Sequence, residues 1–150
     1  MEFYKVRVKT GHVGKGCYRE IEVGCIASSC MRAVDAVKKM PMVKHTNSKV
    51  LSNVKLSNES EYIALLLNCP YSKLKENEID VNNFDNIAKR VDLLKTAEFK
   101  TDDGLKLIAM CEDYLSADED RKKQIVQDYR AWAFPIVEQY NKQQEESFGW

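Results

Sequence analysis

The spacing of apolar residues has a period of two at the start of this chain and a period near 3.6 over its second half, so it must combine a sheet at one end with helices at the other. Residues 4 to 10 place Tyr4, Val6 and Val8 on one side and Lys5, Arg7 and Lys9 on the other, the pattern of a half-buried strand. Gly11-His12-Val13-Gly14-Lys15-Gly16 supplies residues that tolerate a turn, and alternation resumes from Tyr18 to Ile26 with Ile21, Val23 and Cys25 inward. An antiparallel hairpin is expected. Pairing Lys5 with Glu22, Arg7 with Glu20 and Val6 with Ile21 makes charges complementary and apolar sets coincide.

Ser28 or Ser29 can cap a helix carrying Cys30, Ala33, Val34, Val37 and Met40 on one face, which Pro41 ends. Val50, Ser52, Val54 and Leu56 alternate again as a third strand. The expected fold class is α+β: an N-terminal β-β-α-β unit, with a small antiparallel sheet and one helix on a face, followed by a C-terminal helical region of about four helices.

The helices are marked by caps and spacing. Asn58-Glu59-Ser60-Glu61 resembles a capping box opening a short helix from Tyr62 to Asn68, stopped by Pro70. Phe84, Ile87, Val91 and Leu94 predict one amphipathic helix capped by Asn82 or Asn83. Leu105, Ile108, Cys111 and Leu115 predict the apolar face of another that starts near Thr101 to Asp103. Ser116-Ala117-Asp118-Glu119 matches a second capping box, ahead of a helix with Ile125, Tyr129, Trp132, Ile136 and Tyr140 on one stripe. Pro135 should kink it, because proline lacks the amide hydrogen and crowds the preceding turn. The expected divisions are a basic α+β unit over 1–71, a polar linker over 72–81, an acidic helical region over 82–146 and an aromatic tail over 147–150, all able to pack as one domain.

At 150 residues, 44% hydrophobic and 31% charged, the chain is long enough to bury a core without disulfides or metal. Its longest apolar run, Tyr62 to Leu67, is far below the roughly 20 residues of a membrane helix. The first residues lack the apolar stretch of a signal peptide. Five cysteines, at 17, 25, 30, 69 and 111, include no Cys-x-x-Cys pair. An odd set of this kind fits reduced thiols, and a soluble cytoplasmic protein without membrane contact is expected.

Lys plus Arg and Asp plus Glu each number 23, a net charge of zero that hides an asymmetry. Through Ser57 there are 11 basic residues against four acidic, a balance of +7; the remainder has 12 against 19, a balance of −7. Such a division points to macromolecular partners rather than to a fold. Lys5, Arg7, Lys9, Lys15, Lys38, Lys39, Lys44 and His45 are the candidate contacts to a nucleic-acid backbone or an acidic protein surface. Trp132 and Phe134 differ by two positions and cannot share one helix face; with Phe148 and Trp150 they imply either a helix packed on two sides within the chain, the first reading, or a partner or self-association surface, a homo-oligomer included.

Motifs for chemistry are missing. Gly11-x-x-Gly14-Lys15-Gly16 lacks the spacing of a phosphate loop and precedes a strand, so a hairpin turn is the simpler reading. Cys25 and Cys30 with His45 or Cys69 do not form the two tight pairs of a structural zinc site, and no metal or cofactor is expected. His12 and His45 are the two histidines, neither in a recognisable catalytic context, so no catalytic residue is nominated. Carboxylates at 102, 103 and 118–120 stand at expected helix starts, where they complement the helix dipole. No family signature is recognised. A non-enzymatic interaction protein is the first expectation, and a bacterial or phage accessory protein or inhibitor fits it. Direct RNA or DNA binding through the basic unit is the second, and an enzyme with an unrecognised Cys/His site the third.

Overall fold

The computed structural model describes residues 1–10, 19–39, 54–68 and 81–147. Its fold class is α+β, as the change of period predicts. In chain order the elements are β1 (Glu2–Thr10), β2 (Arg19–Ala27), α1 (Cys30–Lys38), β3 (Val54–Leu56), α2 (Glu59–Leu67), α3 (Val81–Lys89), α4 (Val91–Lys95), α5 (Asp102–Ser116) and α6 (Glu119–Ser147). The chain divides into two compact units, Met1–Tyr62 and Ile63–Trp150. Of the expected linker over 72–81, Val81 is the first residue of α3, and of the expected tail over 147–150, Ser147 is the last residue of α6; the rest of both, and the hairpin turn, lie outside the described residues.

In the first unit the three strands run in the order β2-β1-β3, antiparallel throughout. The hairpin register differs from the expected one by two residues: Lys5 lies opposite Gly24, Val6 opposite Val23 and Arg7 opposite Glu22. A two-residue slide leaves every side chain on its own face, so alternation alone cannot choose between the registers. Tyr4, Val6, Val23, Cys25 and Ala27 form a buried cluster with Ala33 and Val37 of α1, the core of this unit. Cys30, expected on that apolar face, is exposed as the first residue of α1. Ser29 caps the helix, its Oγ accepting from the Arg32 amide at 3.2 Å. Of the expected third strand, Val54 to Leu56 is a strand; its first residues lie outside the described ones.

The opposite sheet face meets α2 at one end. Phe3 and Ile26 are cross-strand partners, Ile26 is buried, and the Phe3 ring meets Tyr62 at 5.0 Å between centroids. Tyr62 is delivered by the first turns of α2, which starts where Asn58 Oδ1 accepts from the Glu61 amide at 2.7 Å. The sheet thus packs on α1 through one face, and the start of α2 touches the other at Phe3.

In the second unit α5 packs on α3, α4 and α6. The single helix expected from Phe84 to Leu94 is two, because the Arg90 amide donates to Ile87 at 3.0 Å, a tighter turn, before α4 restarts. Phe84, Ile87, Val91 and Leu94 remain buried across the break. Glu98, just beyond α4, has φ 53°, a left-handed conformation unusual for a residue with a Cβ. Thr101 caps α5 by accepting from the Gly104 amide at 3.0 Å. At α6 the cap is Asp118, which accepts from the Arg121 amide at 2.8 Å, and not the expected Ser116, which is the last residue of α5. The α6 helix continues across Pro135, whose ring lies on its exposed side.

The apolar face of α5 is also displaced from expectation. Gly104, Leu107 and Cys111 are buried, whereas Leu105 is 54% exposed and Leu115 47%. Apolar residues surround most of this helix, so two stripes of helical spacing compete. The one containing Gly104 wins: a residue without a side chain lets a neighbouring helix approach closely.

Candidate functional site

The basic stripe of β1 does not stand alone. Lys5 Nζ lies 3.4 Å from Glu61 and 3.6 Å from Glu22, and Arg7 lies 3.0 Å from the other oxygen of Glu22. Two cations thus meet two carboxylates, and their local charges cancel. Glu61 is held in turn by the Ser57 hydroxyl, which donates to it at 2.7 Å. The Lys5 and Glu61 side chains are only 21% and 26% exposed, so a phosphate approaching Lys5 would have to displace a partly desolvated carboxylate. Glu61 appeared in the sequence as a capping residue; its reach across the sheet follows from the strand order, which residue spacing does not state.

The other basic candidates are distributed differently. Lys38 and Lys39 are exposed at the C-terminal end of α1, where positive charge complements the helix dipole. Lys9 lies opposite Glu20 in the strand register. Lys15, Lys44 and His45 lie outside the described residues.

Trp132 and Phe134 are both partly buried on α6, while Ile125, Tyr129, Ala133, Val137 and Tyr140 form its buried stripe. Tyr129 stacks on Phe84 at 4.3 Å, and the Tyr114 ring meets Phe84 edge-on at 5.1 Å. Trp132 joins this aromatic group at 6.4 Å from Tyr129. Phe148 and Trp150 lie outside the described residues. At the end of the group the Tyr114 hydroxyl donates to Asp85 at 2.9 Å, and Lys89 pairs with the same carboxylate at 2.9 Å. The Lys89 and Tyr114 hydrogen bonds hold the Asp85 carboxyl below its usual range, while burial, followed by that hydrogen bond, raises the Tyr114 phenol. This arrangement fastens α3 to α5.

Among the described cysteines, Cys25 and Cys111 are buried and Cys30 is exposed. Burial pushes the Cys25 thiol up and the Cys111 thiol up to about 12, so both are neutral at physiological pH and poor nucleophiles. Among the described residues no three His, Cys, Asp or Glu side chains are grouped to hold a metal ion, and no helix is long and apolar enough to cross a membrane.

The two units carry opposite charge: the first has 11 basic residues against six acidic, the second 12 against 17. On the second, Leu105, Ile108 and Leu115 run along the outward flank of α5, a surface that residue spacing had assigned to the core. Compared with family models, curated proteins and solved structures, the chain gives no match.

Proposed function

We propose that this chain is a non-enzymatic interaction module that recognises a protein partner, in the manner of a small accessory or inhibitory protein. The observation that carries this reading is the pairing of Lys5 and Arg7 with Glu22 and Glu61. Nucleic-acid binding draws on a surplus of cations facing phosphate, and at the centre of the sheet the surplus is zero. The exposed leucines of α5 support the same reading, because protein partners bury apolar surface where nucleic-acid backbones do not.

A second reading, direct RNA or DNA contact, is favoured by the exposed Lys38 and Lys39. Filter retention of labelled duplex and single-stranded nucleic acid at low ionic strength separates the two. No salt-sensitive retention is expected, and a pull-down from the native source is expected to keep a protein partner after nuclease treatment. Retention that falls steeply with salt, or a partner released by nuclease, overturns the proposal.

A further inference from the structure

We draw no further inference here: the strongest candidate, the apolar surface patch of Leu105, Ile108 and Leu115 on the outward flank of α5, is bordered at both ends by acidic residues with basic ones beside them, and nothing in the structure shows what covers it.

Discussion

The Lys5 ammonium lies 3.4 Å from the Glu61 carboxylate, joining the central strand to a helix 56 residues further along the chain. The same carboxylate receives the Ser57 hydroxyl, so one side chain ties β1, the end of β3 and the first turn of α2.

Replacing Glu61 with alanine is therefore expected to destabilise the protein by about 1–2 kcal/mol, more than an exposed pair contributes, because two partly buried donors lose their acceptor. Urea unfolding of parent and Glu61→Ala measures this. The difference should narrow in high salt, which weakens the parent's ion pair while leaving the Ser57 contribution. A variant as stable as the parent would show that the carboxylate is only a solvated neighbour.

Glu98 occupies a left-handed conformation at φ 53°, in the turn where its amide donates to Lys95 at 3.2 Å. Glycine adopts that geometry without the Cβ clash, which costs an ordinary residue about 1–2 kcal/mol. The side chain of Glu98 is exposed, so Glu98→Gly loses little packing. It is expected to raise stability by about 0.5–1 kcal/mol once the added freedom of the unfolded chain is subtracted. A lower midpoint in thermal unfolding would mean the turn is not held left-handed in solution.

The cysteines should separate by reactivity. Brief alkylation of the native protein, mapped by mass spectrometry, is expected to modify Cys30 and to spare Cys25 and Cys111 until denaturant is added. For Cys111 the folded thiol, raised to about 12 from an ordinary 9.0, resists ionisation more than the unfolded one. Its contribution is intact below the unfolded value and is lost as pH rises from there through the folded value. From about pH 9 upward, toward about 12, the parent should therefore lose stability more steeply than Cys111→Ala. Parallel slopes would place the thiol in contact with water.

Much of the architecture could be read from residue order. The alternation of Tyr4, Val6, Val23 and Cys25 sets the buried sheet face, and Ser29, Asn58 and Thr101 mark helix starts because their side chains bond to amides within reach of the local chain. What spacing could not decide were choices between equivalent patterns. A two-residue slide preserves the faces of β1 and β2, and α5 carries apolar residues on more than one stripe. The Lys5 to Glu61 contact was hidden for another reason: it depends on which strand lies at the centre, a property of the whole sheet. Leu105 and Leu115 were visible as leucines but placed inside, since hydrophobicity says nothing of which apolar residue a neighbouring helix will cover.

The strand order β2-β1-β3 also has a temporal meaning. β1 leaves the ribosome ahead of β2 and is close to it in sequence, so a hairpin can form while synthesis continues. The other edge of β1 must wait until Val54 to Leu56 has been made. Glu61, which joins Lys5, is made later still. Until then Lys5 lacks one of its two carboxylates, and the nascent hairpin is more cationic than the finished protein, a difference that lasts only as long as translation of the segment between them.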